Sequence, residues 1–134
     1  GLNPDKVKWD ANFNKLKEKI KKDKLEGKSI IYSSEDDELN RKVMEKLQID
    51  IILINQKNRK DFQKQRNSGF NQVMAKVAKK QGITIGINFD EIVESNSPKE
   101  REEILARIKQ NVKLCNKNKV KMKFDIEKEK NKRD

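Results

Sequence analysis

Ile51-Ile52-Leu53-Ile54 is an uninterrupted apolar run in a chain where 41% of residues are charged and only 33% are hydrophobic. A run with no polar side chain to turn toward water predicts a strand covered on both faces, as inside a parallel sheet. The segments on its N-terminal side fit that sheet. Residues 28–32, with Ile30, Ile31 and Tyr32, predict an earlier strand, and Ser33, Ser34, Glu35, Asp36 and Asp37 follow it as a helix start. Ser34 is the expected cap, and the acids suit the positive end of the helix dipole, which accounts for them without a metal ion. The helix turns Leu39, Val43, Met44 and Leu47 inward and leaves Arg41, Lys42 and Lys46 to solvent. Further upstream, Trp9, Phe13, Leu16 and Ile20 share a helical face amid Lys15, Lys17, Lys19, Lys21 and Lys22, so residues 1–27 read as a basic amphipathic helix packed on the core and ending near Gly27.

On the C-terminal side, residues 55–66 form a polar, basic loop carrying Lys57, Arg59, Lys60 and Lys64. A helix then presents Phe70, Val73, Met74, Val77 and Ala78 on one face as core. Ile83, Ile85 and Ile87 alternate with Thr84, Gly86 and Asn88 as a third strand, and Phe89 to Val93 add a short helical turn. Ser97, Pro98 and Glu100 make a capping box with proline in the first turn, opening a helix whose inner face is Ile104, Ile108, Val112 and Cys115. Arg101, Lys109, Lys113 and Lys117 lie elsewhere on that helix, and Cys115 is expected to be a buried thiol. Val120, Met122 and Phe124 alternate with lysines as a fourth strand, and residues 125–134 are an expected disordered, charged tail.

Strands alternating with helices imply parallel crossovers and a single α/β domain over residues 1–124. A closed (β/α)₈ barrel takes about 250 residues, so this chain of 134 residues is expected to form parallel β/α repeats in a partial or reduced TIM-barrel-like fold.

The formal charge of +11, from 33 Lys and Arg against 22 Asp and Glu, favours a polyanionic partner, although charge alone is equally served by a solvated surface. The sequence contains no histidine, which removes the commonest general base and metal ligand and disfavours most hydrolase chemistries. The single Cys115 excludes an internal disulfide, no apolar run is long enough to span a bilayer, and no secretory signal is visible, so a cytoplasmic setting without membrane contact is expected. The chain begins with Gly1 rather than Met, as a trimmed terminus would.

The segment Lys60-Asp61-Phe62-Gln63-Lys64-Gln65-Arg66-Asn67-Ser68-Gly69-Phe70-Asn71-Gln72-Val73-Met74-Ala75-Lys76 resembles the signature of ribonuclease P protein component 3, an archaeal and eukaryotic family, with its centre at Arg66 to Asn71. Ile85-Gly86-Ile87-Asn88-Phe89 is similar to that family's next strand, and residues 105–115 to its following helix, so the resemblance runs from about Lys28 to Phe124. It implies a TIM-barrel-like protein related to the PHP metal-dependent phosphoesterases but lacking their metal site. It also implies a non-catalytic role: binding and stabilising the ribonuclease P RNA, alongside a small ferredoxin-like protein subunit, during 5′-leader removal from precursor tRNA. The Mg²⁺ would belong to the RNA, with no cofactor on the protein. Family members are usually longer at both ends, which leaves barrel closure and the partner interface open.

The residues themselves suggest how such a chain would hold RNA. With Ser68 as helix cap and Gly69 allowing close approach, first-turn amides and the forked donor of Arg66 would make a phosphate-binding corner, joined by Asn67 and Asn71. The same residues would equally well satisfy backbone groups at a buried turn. Lys57, Arg59, Lys60 and Lys64 are the densest loop cations, followed by Lys76, Arg107 and Lys109, as backbone contacts. Few aromatics interleave them, so a base-stacking platform is not expected. Two other readings stay open at this level: a general RNA-binding or ribosome-associated protein, and a trimmed phosphoesterase using Asp61, Asp90 and Glu91 for Mg²⁺.

Overall fold

In the computed structural model, which describes residues 4–124 and side chains from residue 11 onward, the apolar runs align as four short parallel strands. The elements follow in the order α1 (Pro4–Leu25), β1 (Ile31–Tyr32), α2 (Asp37–Lys46), β2 (Ile51–Leu53), α3 (Gln72–Gln81), β3 (Thr84–Gly86), α4 (Asp90–Val93), α5 (Pro98–Asn118) and β4 (Met122–Lys123). The strands stand side by side in chain order, β1-β2-β3-β4, all pairs parallel. Sequential order with repeated crossovers of one hand puts the crossover helices on one face, and α2 indeed neighbours α3, which neighbours α5. The sheet is open, with β1 and β4 as its edges: a reduced parallel β/α fold.

Register explains the core. Tyr32, Ile52, Ile85 and Met122 are aligned across all four strands. They meet Val43 and Met44 of α2, Met74, Ala75 and Ala78 of α3, and Cys115 of α5. Period-two alternation leaves the next aligned row, Ile31, Ile51 and Thr84, only half-buried on the other side. Ile20 of α1 is buried in the same core with Phe13 and Leu16 against it, as the helical spacing predicts. Lys42 Nζ stands 5.1 Å from the centre of the Phe13 ring. A smaller cluster of Ile87, Ile104 and Ile108 joins α5 to the end of β3, with Ile92 and Val112 beside it.

Several local expectations are corrected. Asp36, not Ser34, caps α2: Ser34 Oγ accepts the Asp36 N–H, which places the Asp36 carboxylate under the Leu39 N–H at 3.1 Å. Asn71, not Ser68, caps α3, its Oδ1 accepting the Met74 N–H at 2.9 Å. Because α3 therefore starts at Gln72, Met74, Ala75 and Ala78 face inward, Val73 is 50% exposed, and Phe70 is buried just ahead of the helix. The capping box of α5 holds, with Ser97 Oγ accepting the Glu100 N–H and Glu100 reaching the Asn96 N–H. The fourth strand is shorter than predicted, leaving Phe124 outside it and exposed, ring-stacked on Phe89 at 5.7 Å. Trp9's side chain and the tail of residues 125–134 lie outside what is described.

Candidate nucleic-acid interface

Between β2 and α3 the chain follows a long irregular path over residues 55–71, and its backbone polar groups need partners that no helix or strand supplies. Side chains supply them. Glu91, buried on α4, accepts the N–H groups of Gln56 and Lys57 at 2.7 and 2.8 Å and so pins the start of the loop. Buried Gln56 donates to the carbonyl of Ser68 at 2.8 Å, tying the start of the loop to its end. Arg59 folds back: its Nε donates to the Asn55 carbonyl at 2.7 Å, and its two terminal nitrogens grip Asp37, at the head of α2, at 2.7 and 2.9 Å.

From the other side α5 reaches up. Arg107 donates from Nε to Asp61 at 3.0 Å and from its terminal nitrogens to the carbonyls of Gln56 and Arg59 at 3.2 and 3.1 Å. Asn111 donates to the Ser68 carbonyl, and Gln110 to the Ser68 hydroxyl and the Arg66 carbonyl. Asp61 also accepts the Asn67 N–H at 2.9 Å and lies 3.6 Å from Arg66. The Asn67 N–H first, and then the Arg107 and Arg66 guanidinium groups, hold the Asp61 carboxyl below its ordinary value. Gly69 completes the clamp. Its φ of +72° suits glycine, and a Cβ there would lie 2.7 Å from Cζ of the pinned Arg59.

This geometry sorts the candidate residues. Lys57, Lys60, Lys64, Arg66, Lys76 and Lys109 are exposed. Asn67 is half-buried, and Asn71 is exposed but occupied as a helix cap. Arg59, Arg107 and Ser68 are drawn inward, with side chains of Arg59 and Arg107 only 10% and 4% exposed and Ser68 2% exposed as a residue. As contacts these three are corrected to positioning residues, because their donors are spent on the protein's own carboxylates and carbonyls. The phosphate-binding corner is corrected too: Ser68 Oγ donates to Phe70 O, and the Met74 and Ala75 amides are taken by Asn71.

Beside the clamp a cleft of about 440 Å³ opens at the carboxyl ends of β1, β2 and β3, lined by Lys57, Arg59 and Lys60 and by Glu35, Asp37, Glu91 and Glu94. Its balanced charge gives no preference for a polyanion. Among the described residues no group of three or more His, Cys, Asp or Glu is placed to hold a metal ion. No helix of the described residues is long and apolar enough to cross a membrane.

A chain in the cryo-EM structure of an archaeal ribonuclease P with mature tRNA shares this architecture, with a TM-score of 0.70 at 26% identity over 82% of this chain. The match covers 45% of that chain, so the protein spans less than half of its structural neighbour's length. No protein-family model and no curated protein matches the sequence. Motif reading missed Gln56 and Asn111, which build the clamp, took Glu91 only as a possible Mg²⁺ ligand, and passed over Lys113 and Lys117, which line one groove with Arg66 and Lys109, and the exposed Lys79 and Lys80. A signal for the lysines does exist: residues 62–89 and 104–124 contain no Asp or Glu.

Proposed function

We propose that this chain is a non-catalytic protein subunit of ribonuclease P, of the component 3 type, that binds and stabilises the catalytic RNA during 5′-leader removal from precursor tRNA. The observation that carries the reading is the likeness in fold and sequence to a chain of an archaeal ribonuclease P. The motif through Arg66, Asn67, Ser68 and Gly69 supports it independently, and its residues have a physical task here: they lock the loop that displays Lys57, Lys60, Lys64 and Arg66. Cations held on an ordered surface neutralise RNA phosphates without also having to order a flexible loop.

In this reading the sheet corresponds to part of a PHP-like TIM barrel, the partners are the ribonuclease P RNA, precursor tRNA and the small ferredoxin-like subunit, and the setting is cytoplasmic. The chain carries no cofactor of its own, and Mg²⁺ serves the RNA. A chain without histidine is poorly equipped for general base catalysis, which favours a scaffold over a nuclease.

The test is reconstitution of ribonuclease P RNA with the small subunit, measuring leader cleavage at limiting Mg²⁺ with and without this chain. Stimulation is expected. A folded chain that gives none, or one that cleaves precursor tRNA alone, would overturn the reading.

A further inference from the structure

Two stretches of the sequence free of carboxylates, residues 62–89 and 104–124, meet in space. The first contains α3 and the second most of α5, and the helices are joined by a reciprocal pair of amide hydrogen bonds, Gln72 to Asn118 and back, both 3.0 Å. Lys64, Lys76, Lys79 and Lys80 of the first stretch and Lys109, Lys113 and Lys117 of the second are all exposed. Among the described residues none of these lysines has a carboxylate within ion-pair distance, whereas Arg66 at the rim has only the 3.6 Å contact to Asp61. The carboxylates of the described residues lie outside these two stretches, on α1, α2 and α4, in the first turns of α5 and in loops, where Asp61 meets the rim at Arg66. A solvated mixed surface would intersperse both signs; this one segregates them.

Along α5 runs a groove of about 500 Å³. Arg66, Lys109, Lys113 and Lys117 line it, over a low floor of Ala106 and Leu114. The three lysines recur every fourth residue, so they form one row about 6 Å apart along the helix, a step comparable to successive phosphates of one nucleic-acid strand. No aromatic side chain lines the groove, and the exposed Phe62 and Phe89 lie outside it, so nothing there can stack an unpaired base.

We propose that the groove between Arg66 and the Lys109–Lys113–Lys117 row of α5 is an RNA-binding surface of this protein, and that it seats one phosphate strand of a double-helical RNA segment, without reading its sequence. The inference rests on the ribonuclease P reading for the choice of RNA as polyanion, and on the charge segregation for the place. It adds Lys113 and Lys117 to the contact set and assigns shape, rather than unpaired bases, as what is recognised.

The experiment uses the full chain alone, without ribonuclease P RNA, so its outcome is separable from leader cleavage. Binding to an arbitrary RNA duplex of about 16 base pairs is measured against KCl for the wild type, for K109Q/K113Q/K117Q, and for K17Q/K19Q/K21Q on α1, which removes equal charge from exposed positions elsewhere. Losing three phosphate contacts lowers the salt slope by about 2.7, so the advantage of the wild type over the groove variant is expected to shrink roughly 40-fold between about 50 and 200 mM salt. The α1 variant should track the wild type, and an unpaired strand of the same length should bind more weakly than the duplex. An equal effect of both triple variants would overturn the proposal, as would equal binding of single strand and duplex, no duplex binding by the wild type, or a groove variant that loses only binding to anionic lipid vesicles.

Discussion

Arg107 on α5 donates its Nε proton to Asp61 in the loop at 3.0 Å, across 46 residues of chain, while the rest of its guanidinium caps two loop carbonyls. One buried arginine therefore holds the fold's longest irregular segment against its longest crossover helix of the described β/α repeats. The consequence is mechanical: loop cations project from a braced surface.

Removing that brace should cost stability. Arg107→Ala strands the carbonyls of Gln56 and Arg59 and releases Asp61, for an expected loss of about 2–4 kcal/mol. Arg107→Lys should recover only a minor part, since an ammonium cannot reproduce the fork. Urea denaturation measures both, and a change under about 0.5 kcal/mol for the alanine variant would remove the clamp from the account.

Two glycines allow a controlled comparison. Gly69 and Gly82 have nearly equal φ, +72° and +71°, yet a Cβ on Gly82 meets open space while one on Gly69 meets the Arg59 guanidinium. Gly82→Ala should therefore cost about 1 kcal/mol, the left-handed backbone penalty alone. Gly69→Ala should cost at least about 1 kcal/mol more, because Arg59 cannot swing away without leaving Asp37. In a double-mutant cycle with Arg59→Ala the excess should vanish, and a persistent excess would mean the crowding lies elsewhere.

Acid should loosen the clamp through Asp61. Its folded-state carboxyl is held below the unfolded value by the Asn67 N–H and then by Arg107, so it contributes stability above about pH 4, lost as pH falls through the folded-state value. The stability gap between wild type and Asp61→Asn should be constant from neutral pH down to about pH 5 and then close below pH 4. A gap independent of pH would show that the carboxylate charge is not what the clamp uses.

Cys115 should be chemically silent in the folded state. It is fully buried, and burial pushes the thiol up to about 11 from 9.0. At pH 8 the thiolate fraction falls roughly 100-fold, and inaccessibility slows reaction further. Labelling with an aromatic disulfide reagent should require unfolding, and rapid labelling of native protein would contradict the packing of α5 on the core.

Much of this was legible locally. The Ile51–Ile54 run, the alternation at Ile83, Ile85 and Ile87, and the Ser97-Pro98-Glu100 start each carry their structure within a few residues, because periodicity and capping are short-range physics. The cap of α3 was less legible: Ser68 and Asn71 are both good capping residues, and only the Gln56–Ser68–Asn111 network, drawn from three parts of the chain, takes Ser68 inward and leaves the role to Asn71. Lys57, Lys60, Lys64 and Arg66 are exposed, while Arg59 sits among them in sequence and is drawn inward to Asp37.

By itself, then, the sequence determined the order of elements, the parallel sheet and the excess of positive charge, all of which follow from which side chains repeat at which spacing. The tertiary structure alone decided which cations stay in solvent and which are consumed at home. Arg59 and Arg107 are buried because Asp37 and Asp61 lie 22 and 46 residues away and the fold brings them within 3.0 Å. A charge leaves water only where a partner is waiting, and no local window of sequence contains that partner.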